Sequence, residues 1–307
     1  MPVSIADTVS PSWDLLADIQ ILLHYHFMQN AYLAGTLVAL TAGIMGYFMV
    51  LRSQSFAGHS LANVGFAGAT GAVLFGIPPI VGLFLAGALA AVGIQALNEA
   101  SGHSRQNDIA VGAVFAASLA LGFLFIFLAT AEYAANVYNV LFGNVLGISD
   151  TDVRIILWST LVLVGAFLLI ARPLFFASID PDVAAARGVP VRALGLGYLM
   201  LLALAVAVAV QVVGVLLIFA LLVTPAAIAQ DVTTRPAVAA AVAVALALSF
   251  TWVGLAVGYF TPYPVGFFIT TFAFGTYALV RGGRFVRERV MRRHLTSLPS
   301  SRVGGAG

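Results

Sequence analysis

The chain of 307 residues is 61% hydrophobic and only 8% charged, with a formal net charge of +2. Because a soluble domain averages about 25% charged residues, most of this surface cannot face water. The sequence contains no cysteine, which excludes disulfides, thiolate metal sites and cysteine nucleophiles. The sequence contains 14 arginines and no lysine. Without lysine the chain cannot carry the lysine-containing phosphate loop of an ATPase.

Apolar runs of roughly 20 residues recur along the chain, each long enough to cross a ~30 Å hydrocarbon core as a helix. A membrane barrel would show short alternating segments instead. We therefore predict an all-α, polytopic membrane protein with eight or nine transmembrane helices. The nine candidate spans are Ala31–Leu51, Ser55–Phe75, Pro79–Leu97, Ile109–Ala131, Val153–Ala171, Ala193–Gln211, Val213–Ala229, Pro236–Tyr259 and Pro264–Val280. Only Gln211–Gly214 separates the sixth span from the seventh, so eight spans remain possible.

The arginines predict how these helices are oriented. With the N-terminus outside, the outer side receives only Arg154, as the positive-inside rule requires. The inner side receives the C-terminal tail and Arg52, Arg105, Arg172, Arg187, Arg192 and Arg235. We accordingly divide the chain into an extracytoplasmic or interfacial segment 1–30, a transmembrane domain 31–280 and a basic cytoplasmic tail 281–307. The tail is expected at the anionic membrane surface rather than on nucleic acid, and the first 23 residues lack the basic region of a cleavable signal.

Two segments interrupt the apolar pattern. Glu132–Asp152 contains spread asparagines and predicts an interfacial or re-entrant piece rather than a span. The loop that follows the fifth span predicts a helix of about two turns, with Asp180 as N-cap, Pro181 at the first helical position and Asp182 at the positive end of the dipole. The helix formers and terminators that follow are Ala184, Ala185, Ala186, Arg187, Gly188 and Pro190. Such capping in a cytoplasmic loop indicates a docking surface.

Polar side chains within the apolar segments are the candidate site residues. His59 and Asn63 lie one helical turn apart, so both can converge on one ion; a hydrogen bond between helices is the alternative role for each. Neutral imidazole is a good ligand for zinc and related cations, whereas an amide oxygen is a weak, hard ligand. Gln211 is a further candidate, at the break between the sixth and seventh spans.

Weaker candidates lie at the span ends. His24 and His26 stand just outside the first span and could form a metal entrance, with an interfacial position as the default. Asp108 begins the fourth span, where it could act as an N-cap. Glu99 and His103 share its loop and raise the alternative of a metal exit site.

Five blocks, in sequence order, resemble the membrane permeases of bacterial ABC importers for divalent metals, the zinc, manganese and iron group. The first is FMQNAYLAGTLVALTAGIMGYFMVLRSQSFAGHSLAN, which begins at Phe27. The others are DIAVGAVFAASLALG at Asp108–Gly122, LFGNVLGIS at Leu141–Ser149, FASIDPDVAAARGVPV around the capped helix and QVVGVLLIFALLVTPAAIAQ at Gln211–Gln230. The resemblance extends from about Phe27 to Val280.

This resemblance implies a permease like those of type II ABC importers, working as a homodimer in the bacterial cytoplasmic membrane with its C-terminus inside. Separate ATPase subunits would drive alternating access by docking on a coupling helix at about 180–188, and an extracytoplasmic binding protein would deliver the metal. The coupling-helix residues would be Asp180, Pro181, Asp182, Ala185, Arg187 and Gly188. The second, fourth and seventh spans would line the pathway. The chain would be no enzyme and hold no permanent cofactor, since ATP serves the partner and the metal is cargo.

The chain departs from the family at the start of the second helix. Family members commonly carry an Asp and, four residues later, a His; by position, His59 and Asn63 stand there. The loss of a carboxylate should weaken stable binding in the pore and so favour transit over capture. His59 tilts the expected cargo slightly toward zinc, with manganese and iron as the alternatives.

Two other classes of function compete with the importer. A secondary transporter or channel without an ATPase would need buried carboxylates for coupling, and the candidate spans contain almost no acidic residue. An intramembrane zinc protease would need an HExxH motif, which none of the five histidines provides. Co-purification with an ATPase would separate the importer from both alternatives.

Overall fold

The structure is a computed structural model that describes residues 24–101, 107–128 and 140–296. Predictions that concern residues 1–23, His103, residues 132–139 and residues 297–307 lie outside the described part. Within the described ranges every regular element is helical, so the predicted all-α class is confirmed.

The helices are numbered α1 to α9 in chain order. They are His26–Leu51, Ser55–Leu74, Pro79–Ser101, Asn107–Leu128, Asp150–Ile179, Pro181–Ala186, Val191–Val232, Pro236–Tyr259 and Val265–Thr296. A 3₁₀ turn, Val145–Gly147, precedes α5.

Seven helices of the described part are long and apolar enough to cross a membrane, namely all of these except α2 and α6. The 20 residues of α2 are also enough to cross a bilayer, although glycines and polar groups lower its hydropathy. The 42 residues of α7 are about twice what one span needs. Gly214 interrupts α7 and divides it into α7a, residues 191–213, and α7b, residues 215–232. The prediction of eight or nine spans agrees with these helices.

The chain reverses its direction at Gly214. This glycine has φ 80° and ψ 164°, a conformation that is essentially restricted to glycine. The Tyr198 hydroxyl donates to the Met45 carbonyl at 2.8 Å, and the Leu222 carbonyl lies so close to Gly46 that a Cβ there would overlap it. In a straight helix residues 198 and 222 would lie about 36 Å apart. Residues 198 and 222 instead contact neighbouring residues of α1, Met45 and Gly46. The segments α7a and α7b are therefore antiparallel.

The bundle therefore has two ends, which we name by one residue each. At the His26 end the imidazole of His26 pairs with Asp150 at the beginning of α5, and the Gly214 bend also lies there. At the Arg52 end the side chain of Arg52 contacts Ser178 at the end of α5. Helix α6, which follows α5 directly, lies at the Arg52 end.

Helix α7 forms the centre of the bundle and packs against α1, α2, α3, α5, α8 and α9. Small residues let backbones approach closely: a Cβ on Gly68 of α2 would overlap the backbone of Gly82 in α3, and the reverse also holds. The outward faces carry large apolar side chains, among them Phe127 at 85% and Leu169 at 84% exposure. Such surface is a liability in water but is the expected contact for lipid.

Several boundaries differ from the predicted ones. Helix α1 begins at His26 rather than Ala31, so His26 is part of the first helix. Helix α3 continues to Ser101, so Glu99 belongs to a helix and not to the following loop, and α5 continues to Ile179.

Helix α5 begins at Asp150, so the last three residues of the predicted interfacial segment belong to a membrane helix. The reason is a capping box: the Ser149 hydroxyl accepts the Asp152 N–H at 3.2 Å, and the Asp152 carboxylate accepts the Ser149 N–H at 3.1 Å. Helix α9 continues to Thr296, so the first part of the predicted tail extends the last span.

Replacing Gly214 by alanine is expected to destabilise the bundle by about 1–3 kcal/mol, because its φ of +80° strains any L-residue. The added Cβ would also overlap the backbone of Gly143. Gly197→Ala in α7a is the matched control, since nothing lies within 4 Å of a Cβ at that position. The measurement is thermal unfolding of both purified variants in one detergent. Equal midpoints would contradict a tight turn at Gly214.

Candidate metal pathway and coupling helix

His59 lies in the second turn of α2, between aromatic rings of two other helices. Its ring centroid is 5.5 Å from that of Phe115 in α4 and 4.8 Å from that of Phe219 in α7b. The residue is half-buried, and its Nδ1 is buried without a hydrogen-bond partner among the described residues. A buried ring nitrogen left unpaired calls for a ligand or a water. The structure thus brings together the three helices that correspond to the second, fourth and seventh predicted spans.

Asn63 follows one turn later and bonds back to His59. Its amide nitrogen donates to the His59 carbonyl at 2.9 Å and lies 3.5 Å from His59 Nε2. The second contact is too long to fix which ring nitrogen carries the proton, so either nitrogen is available as a ligand. Both contacts stay within α2, and no described residue of another helix hydrogen-bonds to this pair. The pair can present one imidazole nitrogen and one amide oxygen to an ion.

Gln211 lies at the His26 end, close to the Gly214 bend. It lines a cavity of about 190 Å³ together with two other polar residues, Asn144 and Asp152. The apolar wall comes from α3, α5, α7a and the segment before α5. The structure therefore does not bring Gln211 and His59 into one site, because His59 is not among the residues that line this cavity.

The other predicted metal candidates are not assembled into a cluster. His26 Nε2 pairs with the Asp150 carboxylate at 2.9 Å, with 71% and 61% of the two side chains exposed, so that nitrogen is not free for an ion. His24 packs edge-on against Tyr25, with ring centroids 5.9 Å apart. Asp108 lies in the first turn of α4, and its side chain is outside the described part, as is that of Glu99. Within the described residues no group of three His, Asp or Glu side chains could hold a metal.

Helix α6 is capped at both ends. The Asp180 carboxylate accepts a backbone N–H of the first turn at 3.0 Å, and Pro181 is the first helical residue. At the other end Gly188 has φ +81°, and the Val189 N–H bonds to the Ala184 carbonyl at 3.1 Å. This is the 6→1 bond of a Schellman motif. The N-cap at Asp180, the proline at the first helical position and the glycine at the C-terminal end were all predicted from the sequence, and the structure contains all three.

Helix α6 is also exposed at nearly every position. Within it only Ala184 is buried. The exposed residues include Asp180, Pro181, Asp182, Ala185, Arg187 and Gly188. The Arg187 guanidinium lies 5.7 Å from the centroid of the Phe176 ring in α5, which ties the end of α6 to the helix before it. A short rigid helix that projects from the bundle can receive a partner without rearranging the bundle first.

The chain matches the ABC 3 transport family over residues 24–281. It belongs to that family. It is 31% identical over 214 residues to the manganese transport system membrane protein MntC of Listeria monocytogenes, which covers 70% of this chain and 75% of the relative. It is 34% identical over 207 residues to the chelated iron transport system membrane protein YfeD of Yersinia pestis, covering 67% and 68%. The solved structure of PsaBC from Streptococcus pneumoniae in complex with Fab matches with a TM-score of 0.76 and 28% identity, over 86% of this chain and 94% of that chain.

Sequence reasoning missed a half-buried arginine of this ABC 3 transport family protein. Arg52 follows α1, and its guanidinium donates to Ser178 Oγ at 3.1 Å and to Gln54 Oε1 at 3.3 Å. The same guanidinium lies 5.5 Å from the centroid of the Tyr198 ring. The charge pattern of the sequence identifies Arg52 only as one of the inner-side charges. The available signal was its isolation, since no other charged residue occurs in positions 31–98.

A second missed cluster joins α7b to α9. Asp231, at the end of α7b, pairs with Arg281 at 2.9 Å and with Arg284 at 2.8 Å. The Asp231 side chain is only 18% exposed. The first two arginines of the predicted tail are therefore bound to the bundle, and only later arginines remain for the membrane surface.

Proposed function

We propose that this chain is the permease subunit of an ABC importer that moves a divalent transition metal by alternating access, powered by a separate ATPase subunit. The observation that carries the proposal is α6, a helix capped at both ends and exposed on nearly every side, in a member of a family of ABC transport proteins. The names of the relatives, a manganese and a chelated iron transport membrane protein, support a metal as the cargo.

The proposed assembly follows from the two ends of the bundle. The ATPase docks at the Arg52 end, on α6, and the binding protein delivers metal at the His26 end. Two copies of the chain form the membrane unit. The charge distribution supports this orientation, because Arg154 belongs to the His26 end whereas Arg187 and Arg235 follow α6 and α7b at the Arg52 end. The C-terminus then lies in the cytoplasm.

The proposed path of the metal runs from the Gln211 cavity to His59 and Asn63. Gln211 offers an amide oxygen near the entrance, and the α2 pair offers an imidazole nitrogen and an amide oxygen deeper in the bundle. Since neither position supplies a carboxylate, binding is weak and the ion is passed on rather than held. The imidazole favours zinc, whereas an oxygen-rich path suits manganese; uptake measurements name the ion.

The test is total cell metal, measured by elemental analysis in a strain lacking this permease and in the same strain complemented with it. Both strains are grown without added metal and then receive zinc, manganese and iron together. We expect a deficit in one metal that complementation restores. A normal content of all three metals would contradict these metals as the cargo. A metal deficit with no ATPase in the purified permease would favour a transporter that works without ATP.

Replacing Gln211 by leucine is expected to lower uptake at limiting metal about fivefold, because one polar contact is worth roughly 1 kcal/mol. Leucine fills similar space in the cavity but offers no oxygen. Gln211→Asn is the matched control, since it keeps an amide and should retain most of the uptake. The measurement is initial uptake of radioactive manganese or zinc at several concentrations. Leucine and asparagine variants with the same uptake would remove Gln211 from the pathway.

A further inference from the structure

We propose that Arg52 is a positioning residue of the transport cycle, which joins the coupling helix α6 to α1 and α7a so that a displacement of α6 reaches the metal pathway. This inference rests on the proposed function, because it takes α6 as the dock of an ATPase. It adds a residue outside both α6 and the metal path.

The link begins at the base of α6. Ser178 stands two residues before Asp180, the N-cap of α6. Its hydroxyl donates to the Leu174 carbonyl at 2.6 Å and accepts from Arg52 Nη1 at 3.1 Å. The serine is thus fixed on α5 from one side and bound by the guanidinium from the other. Any tilt of α6 that moves the last turn of α5 also moves the partner of Arg52.

Stability alone does not account for an arginine in this place. Removing a cation from water is costly unless it is paired, and no acidic side chain of the described residues forms an ion pair with Arg52. Its partners are a serine, a glutamine and the face of the Tyr198 ring. A guanidinium is suited to several neutral partners at once, because it carries five donors in a fixed plane that also stacks on aromatic rings. The Arg52 guanidinium therefore connects the ends of α1 and α5 and the ring of Tyr198 through contacts of fixed direction.

The link continues from Arg52 into the bundle. Tyr198, under the guanidinium, is fully buried, and its hydroxyl donates to the Met45 carbonyl in α1. The next residue, Gly46, lies directly against the Leu222 carbonyl of α7b. One turn earlier on α7b, Phe219 contacts the ring of His59. The middle steps join buried groups, namely Tyr198 to the Met45 carbonyl and Gly46 to the Leu222 carbonyl, so a movement of α1 cannot leave α7b where it was.

The experiment uses the full-length permease with its co-expressed ATPase, reconstituted in liposomes. Manganese and zinc uptake and ATP hydrolysis are measured on the same vesicles, which gives the metal moved per ATP. For Arg52→Gln we expect this ratio to fall at least about fivefold, the lower range of coupling effects between sites, while the ATPase stays bound and active. For Ser178→Ala we expect a change in the same direction. The double variant should be no worse than Arg52→Gln alone, because both changes break one link.

One result would overturn the inference: an unchanged ratio of metal moved per ATP in both single variants. That ratio is also unchanged when uptake and hydrolysis fall in equal proportion, which is the mark of a merely structural role. If Arg52→Gln does not assemble, Ser178→Ala decides by the same ratio. The proposed function fails separately. In that case the unmodified permease itself neither retains the ATPase nor takes up either ion.

Discussion

Replacing both Asp180 and Asp182 by arginine is expected to reduce metal uptake at least about tenfold while the permease still folds. Both carboxylates are exposed at the beginning of α6, the helix that we assign to ATPase docking. Reversal of two charges on a docking surface places like charges together, and such mismatches cost several kcal/mol, where about 1.4 kcal/mol already corresponds to a factor of ten. The measurement is uptake and ATP hydrolysis in liposomes that contain permease and ATPase.

The controls must separate charge from capping, because the Asp180 carboxylate also caps α6. Asparagine caps helices about as well as aspartate, whereas alanine costs about 1 kcal/mol. Asp180→Asn with Asp182→Asn therefore removes both charges and keeps the cap. We expect it to transport better than the double arginine variant and to melt at the temperature of the unmodified permease. Normal transport by the double arginine variant would show that α6 is not the coupling helix.

The local structure of α6 could be predicted because all of its determinants lie within about ten residues. A side-chain cap, a proline at the first position and a glycine in the left-handed region act on their own backbone and need no tertiary partner. The membrane helices could be predicted for a similar reason, since bilayer thickness sets their length. The start of α5 was misplaced by three residues because Ser149 and Asp152 form a capping box, a signal that the hydrophobic pattern does not contain.

The residues of the candidate pathway could be predicted from the sequence, but the groups that surround them could not. The predicted split at Gln211–Gly214 into a sixth and a seventh span already requires the chain to reverse there, and the backbone contact between Gly214 and Gly143 and the packing of α7b on α1 show that it does. The sequence could not show that Gln211 lines a cavity with Asn144 and Asp152, or that His59 lies between Phe115 and Phe219, because these partners come from other parts of the chain. The side of the membrane could be predicted for Arg52, but its contacts could not, because its partner Ser178 is 126 residues away in the chain and the hydrophobic pattern carries no information about such pairs.

Replacing His59 by alanine is expected to lower metal uptake at least about tenfold, the loss typical even of groups that merely support a metal ligand. Expression and ATPase binding should change much less, because within the described residues α6 packs mainly against α5 and α7 rather than against α2. The expected loss of uptake follows from the unpaired Nδ1 of His59. This nitrogen is buried, its ring lies between Phe115 and Phe219, and it is available to an ion in passage. The measurement is initial uptake of radioactive zinc and manganese in liposomes.

His59→Phe decides between the two roles of this residue. Phenylalanine keeps the ring contacts with Phe115 and Phe219 but offers no nitrogen, so a ligand role predicts that it transports as poorly as His59→Ala. A packing role predicts near-normal uptake for His59→Phe and a loss only for alanine. The exchange of His59 to Asp with Asn63 to His provides the opposite change, since it adds a carboxylate next to an imidazole. That variant should bind zinc or manganese more tightly in detergent, and unchanged binding would mean that the start of α2 does not face the ion.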